Sequence, residues 1–159
     1  MRLYFLRHGI AADAGEFSGP DSERPLTDEG RARMARAAKA IDDLTLDIER
    51  IVTSPLLRAK QTASLVAERL KPRGGVVEDE RVGLSFGPRA LGAILSDHAD
   101  AARLMLVGHE PSLSQTIGHL LGGASVEVKK GALAGVELSG PGAMRGTLLC
   151  LIPPRALAR

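Results

Sequence analysis

The chain has 159 residues, 44% of them apolar and 25% charged, with a net charge of +2 at neutral pH. That length supports one hydrophobic core and is short for two, so a single domain over residues 1–159 is expected. Near-balanced charge, few aromatic residues and no tryptophan argue against a nucleic-acid partner, because neither a basic tract nor a stacking platform is present.

RLYFL (Arg2 to Leu6) reads as a first strand, running into Arg7, His8 and Gly9. The apolar part of MRLYFLRHG is too short for a signal sequence, and no run approaches the roughly 20 apolar residues that span a bilayer. A cytoplasmic location without a membrane partner follows as the expectation. The stretch from Ala12 to Pro25 is rich in Gly, Asp, Ser and Pro, too irregular for an element and long enough to be functional. It reads as a loop over one edge of the sheet. LTDEGRARMARAAKAIDDL reads as a helix, with Thr27 as N-cap, acids in the first turn, and Met34, Ala38 and Ile41 at helical spacing.

IERIVTS then gives a strand, and Ser54-Pro55 reads as an N-cap followed by proline at the first helical position, where a missing N–H costs nothing. The helix that follows has Leu56, Ala59, Ala63, Val66 or Ala67, and Leu70 as its buried stripe. Arg58 and Thr62 fall on a different face. GGVVED reads as a short strand and PRALGAILSDHA as a helix. RLMLVGHEPSLSQTIGHLLGG repeats the order strand, polar junction, helix, with His109 at the junction and Pro111 near the helix start. GALAGVELSGPGAMRGTLLCLI holds two apolar runs around Ser-Gly-Pro-Gly, the pattern of an antiparallel strand pair at a sheet edge. Cys150, the single cysteine, lies in the last of these runs; it excludes a disulfide framework and reads as a packed core residue. Alternating strands and helices predict the α/β class with a mostly parallel central sheet.

Three junctions combine Arg7-His8-Gly9, Ser54-Pro55 leading to Arg58, and Gly108-His109-Glu110. In an open α/β sheet, ligands bind outside the carboxyl ends of parallel strands, where all three would meet. Two arginines, two histidines and a helix N-terminus make an electropositive site suited to phosphate, since guanidinium forks and backbone N–H groups bind its oxygens. Anion binding alone would not require histidine. His8 directly follows a strand and precedes a glycine that lets another group approach closely, so it is the candidate nucleophile toward phosphorus. Neighbouring cations disfavour the imidazolium and keep the attacking nitrogen unprotonated.

LRHG, TSPLLRAKQTA and VGHEP, in this order and spacing, resemble the histidine phosphatase superfamily. With RPLTDEG after the first loop, the whole chain resembles its small phosphohistidine phosphatase (SixA-like) branch. By that resemblance His8 is the phosphoryl acceptor, while Arg7, Arg58 and His109 bind the phosphoryl oxygens. It also implies a phosphoglycerate mutase-like sheet flanked by helices on both faces, with no metal and no cofactor. The implied partner is a phosphohistidine-bearing protein, with inorganic phosphate as product and a role in signal transduction. Relatives acting on phosphate esters carry a carboxylate general acid and long insertions; here EDERVGLSFGP offers Asp79 or Glu80 without a convincing acid motif. Glu80 is the candidate general acid, set against the reading of a surface glutamate.

Other polar residues carry plainer readings. His98 sits near a helix end that favours a cation, and His119 lies among apolar residues of a helix. A four-histidine zinc site is disfavoured by the absence of HxxxH or HxH spacing. Thr62 either donates to the phosphate pocket or returns its hydroxyl to the preceding turn. Arg24 either reaches the phosphate or, preferred, pairs with Asp21 or Glu23 on the surface; Ser112 reads as an N-cap ahead of a substrate contact, Lys129-Lys130 as a solvated turn ahead of a rim for an acidic partner protein, and Glu110 as structural. Three functions compete: a protein phosphohistidine phosphatase, a small phosphomonoesterase using an acid such as Glu80, and a phosphoprotein-binding module with little turnover.

Overall fold

The computed structural model describes residues 1–158. Six strands, β1 (Arg2–Arg7), β2 (Arg50–Thr53), β3 (Val76–Glu78), β4 (Arg103–Gly108), β5 (Leu133–Leu138) and β6 (Gly146–Ile152), form one sheet in the order β3-β2-β4-β1-β5-β6. β3, β2, β4 and β1 run parallel, whereas β5 is antiparallel to β1 and β6 to β5. The helices are α1 (Asp28–Asp43), α2 (Leu57–Leu70), α3 (Pro88–Asp97), α4 (Ser112–Leu120) and α5 (Pro154–Leu157). The α/β class, the largely parallel sheet and its antiparallel edge are as expected.

Strand side chains alternate between the two sheet faces, and β1 shows how that divides the core. Leu3 and Phe5 join β4 residues Leu104 and Leu106 under Leu91 and Ile94 of α3 and Leu113 and Ile117 of α4. Tyr4 and Leu6 point the other way, joining Met105 and Val107 under Met34 and Ile41 of α1 and Ala59 and Ala63 of α2. Each fully buried Leu, Ile, Val, Met or Phe among these stabilises the fold by roughly 1.5–3 kcal/mol. The central strands β1 and β4 are therefore the rigid mount for whatever their carboxyl ends carry.

Helix α1 starts as its sequence predicts, with the Thr27 hydroxyl accepting from the Gly30 N–H at 2.9 Å. Three local readings need correction. Ser54 and Pro55 do not cap α2, which begins at Leu57 with Leu56 at the cap position, because Ser54 is held by the sheet through its N–H on the Val107 carbonyl. The Ser112 hydroxyl does not cap α4 but donates to the His109 carbonyl at 2.9 Å. Cys150 is only half-buried, because β6 is an edge strand on which Leu148, Leu149 and Leu151 are each 40% or more exposed.

The segment from Ala12 to Pro25 is a loop, as expected, but it carries one short element. Its ends meet through the Ala12 N–H on the Pro25 carbonyl, and Asp21–Glu23 near its far end forms a 3₁₀ turn. It reaches the start of α2, where Asp21 contacts Arg58.

Candidate active site

β1, β4 and β2 are neighbours in register, with Arg7 beside Gly108 and Thr53 beside Val107. The residues that follow each strand therefore emerge at one level. The His8 N–H donates to the Gly108 carbonyl, and the Gly131 N–H holds the carbonyls of Arg7 and His8 from the β5 side. His8, Ser54, Arg58, Thr62 and His109 are all buried there. His8, Arg58 and His109 are thus brought together, with Arg7 half-buried beside them.

His8 Nδ1 lies 2.7 Å from the Gly9 carbonyl. A carbonyl only accepts, so Nδ1 carries the proton and Nε2 keeps its lone pair. Burial first, then the charges of His109, Arg58 and Arg7, push His8 down to about 3 despite that hydrogen bond. Burial does the same to His109, assisted by Arg58, Arg7 and Arg24 and opposed by Asp21, bringing it to about 4. Desolvation thus outweighs the cations in keeping both rings neutral, which revises the weight given to the arginines above.

Gly9 is required by close packing, since a Cβ there would stand 2.6 Å from Met34 Cγ. Its N–H donates to the Thr62 hydroxyl at 3.1 Å, and that hydroxyl donates to the Arg58 carbonyl at 2.8 Å. Thr62 therefore takes the second of its two readings, returning to the preceding turn, and at the same time ties the loop after β1 to α2.

The guanidiniums are each anchored from one side. Arg7 Nη1 donates to the Val128 carbonyl at 3.1 Å. Arg58 Nη1 and Nη2 donate to the carbonyl and carboxylate of Asp21 at 2.8 and 3.0 Å. Burial lowers the Arg7 pKa, Glu110 and Glu127 oppose it, and the side chain stays charged at neutral pH. Among the described residues, the buried side-chain polar atoms lacking a hydrogen bond are Arg7 Nε, Arg58 Nε, His109 Nδ1 and Glu110 Oε1. Buried polar groups are normally satisfied, so unpartnered atoms at these junctions make them the candidate place for a polar ligand.

Two participants escaped the sequence reading. The Ser54 hydroxyl lies 2.8 Å from His109 Nε2 and also accepts from the Leu56 N–H. Asp21 reaches Arg58 from a loop in which only Arg24 had suggested a pairing. Arg24 does pair with Asp21, with Nε 2.9 Å from Oδ1, but as part of a half-buried network, because its Nη1 also donates to the Ala12 carbonyl.

The remaining candidates stand apart. Glu80 opens the 3₁₀ turn Glu80–Val82 with an exposed side chain that pairs with no described residue. Asp79 is occupied by the Arg81 N–H and guanidinium. His98 stands at the C-cap of α3, near a helix end as expected, and its Nδ1 accepts from Arg50 at 3.1 Å. His119 lies on the exposed side of α4, and Lys129 and Lys130 are exposed in the turn before β5.

The family model for the Histidine phosphatase superfamily (branch 1) matches residues 3–83. An uncharacterized protein of Picosynechococcus sp. is 41% identical over 147 residues, covering 86% of this chain and 85% of that protein. The phosphohistidine phosphatase SixA of Escherichia coli (strain K12) is 37% identical over 70 residues, which is 44% of this chain and 42% of SixA. The solved structure of the protein histidine phosphatase SixA complexed with tungstate aligns with a TM-score of 0.86 at 26% identity, covering 98% of both chains.

Proposed function

The chain belongs to the histidine phosphatase superfamily, and from that premise we propose that it hydrolyses phosphohistidine on proteins through a phosphohistidine intermediate on His8. The observation that carries this reading is the held tautomer of His8: its Nδ1–H is fixed on the Gly9 carbonyl, so the Nε2 lone pair is free at the end of β1. Likeness to the phosphohistidine phosphatase SixA supports the same substrate class.

In the first step Nε2 of His8 forms a bond to phosphorus while the bond from phosphorus to the substrate imidazole breaks. The departing ring takes the bonding pair and leaves neutral, its other nitrogen having taken a proton from solvent before the bond breaks. In the second step water attacks the phosphorylated His8, the P–Nε2 bond breaks, and the ring again leaves neutral with Nδ1–H retained on Gly9. Both protons of the water remain on the released phosphate. Arg7, Arg58 and His109 hold the phosphoryl oxygens and stabilise the charge spread over them.

An alkoxide leaving group would need a positioned acid, a contribution of roughly 10²- to 10⁴-fold, whereas imidazole does not. Glu80 is exposed and unpaired, which fits poorly with that role. A second reading, hydrolysis of phosphate esters, has one observation in its favour: Glu110 Oε1 is buried beside His109 without a partner.

The deciding experiment offers the protein a histidine-phosphorylated protein beside phosphoserine protein and small phosphate esters. Preferential turnover of the first, with labelled phosphate trapped on wild type and none on His8→Ala, is the expected outcome. Preference for esters, lost in Glu110→Gln, would replace the reading with the second. Full activity in His8→Ala would end both.

A further inference from the structure

Asp21 comes from the loop after β1, 37 positions from Arg58, yet it holds that guanidinium at both terminal nitrogens. The carboxylate divides its oxygens: Oδ2 accepts from Arg58, and Oδ1 accepts from Arg24 Nε at 2.9 Å. Arg24 is itself fixed by Nη1 on the Ala12 carbonyl at 2.7 Å. A chain of charge-assisted hydrogen bonds therefore runs from the loop backbone through Arg24 and Asp21 to Arg58.

A guanidinium is a rigid planar fork of five N–H groups, so holding both terminal nitrogens fixes its plane. One N–H on each terminal nitrogen and the Nε–H stay uncommitted on Arg58, and Nε is buried without a partner. Arg7 is divided in the same way, with Nη1 on the Val128 carbonyl and Nε unpartnered. The arginines share one pattern, a protein-held end and a free Nε.

We propose that Asp21 is a positioning residue for the phosphoryl site, presetting Arg58 so that its Nε edge faces the phosphoryl group. The proposal rests on the reading of Arg58 as a phosphoryl ligand. A flexible arginine must lose rotamer freedom on binding, and presetting removes that cost from the binding step. The same contacts could instead make Asp21 a competitor that the phosphoryl group must displace. The two roles differ in sign, because deleting a positioner weakens anion binding whereas deleting a competitor strengthens it.

The test titrates the full chain with inorganic phosphate by calorimetry and measures kcat and KM on a histidine-phosphorylated protein. Wild type, Asp21→Ala, Asp21→Asn, Arg58→Ala and the Asp21→Ala/Arg58→Ala pair are compared. Misplacing a reacting group by about 1 Å costs on the order of 10²-fold, so Asp21→Ala is expected to lose about ten- to a hundredfold in kcat/KM and to bind phosphate more weakly. Asp21→Asn, which keeps an acceptor oxygen, recovers part of the loss, and Asp21→Ala adds nothing once Arg58 is alanine. Tighter phosphate binding or faster turnover in Asp21→Ala overturns the proposal. An equal loss in both backgrounds does so too, since it marks a role in loop structure alone. Unchanged phosphate binding in Arg58→Ala removes the reading of Arg58 itself and this proposal with it.

Discussion

His8 and His109 stand with ring centroids 5.2 Å apart and planes inclined at 51°, but they are held through opposite nitrogens, His8 through Nδ1 on a carbonyl and His109 through Nε2 on the Ser54 hydroxyl. Two imidazoles at the ends of neighbouring strands are thus not interchangeable. One is locked with a free Nε2, and the other has its unpartnered nitrogen at Nδ1.

Ser54→Ala is expected to lower stability by about 1–3 kcal/mol, because it leaves the buried Nε2 of His109 without a partner. It should also lower turnover by roughly fivefold, the size expected when about 1 kcal/mol of positioning is lost. Chemical denaturation and steady-state kinetics check the two effects. An additional loss of turnover in a His109→Ala background would show that Ser54 acts otherwise than through the ring.

The ring protonation of the site is directly observable by NMR. With His8 at about 3 and His109 at about 4, both rings are expected to stay neutral down to about pH 5, where an ordinary histidine is already charged. Titration of either ring near 6.5 would show that burial is not the dominant influence.

The same shifts fix the sign of a stability change. Above the unfolded histidine pKa of about 6.5, both states are neutral and no proton is exchanged on unfolding. As pH falls below it, the unfolded chain binds protons that the folded His8 and His109 refuse, so stability decreases progressively toward the folded values of about 3 and 4. Denaturant melts at pH 7, 6 and 5, roughly spanning that window, should show falling stability, and His8→Asn should have a shallower slope. A slope identical to wild type would contradict the burial of His8.

Gly30→Ala tests packing against propensity. Alanine in a helix is favoured over glycine by about 1 kcal/mol, yet a Cβ at Gly30 would lie 2.0 Å from the Ile10 carbonyl oxygen. That carbonyl also accepts from the Thr27 N–H, so neither backbone can yield easily. Net destabilisation of about 1–3 kcal/mol, the usual cost of overpacking, is expected in a thermal melt. A stabilised variant would mean that the loop after β1 is free to shift.

Local signals in the chain were sufficient for much of this architecture. The Thr27 cap, the apolar spacing of Met34, Ala38 and Ile41, and the short runs that became β1, β2 and β4 each depend on residues within a few positions of one another. The site could be anticipated because its members follow strands, and parallel strands deliver their carboxyl ends to one side. The edge position of the last strands is as expected, but Cys150 is less buried than its apolar run suggests, for the opposite reason. An apolar run does not state whether a further strand or helix will cover it.

The sequence by itself determined which candidate residues stand at strand ends and which side-chain groups they carry: His8 after β1, Arg58 opening α2 and His109 after β4. Only the tertiary structure decided that β4 lies between β2 and β1, that Ser54 meets His109 across 55 positions, and that Asp21 folds back onto Arg58. The physical reason is one of range. Side-chain periodicity and capping act over a turn or two, whereas these pairings arise from sheet order and loop closure, whose energies are shared among many distant contacts.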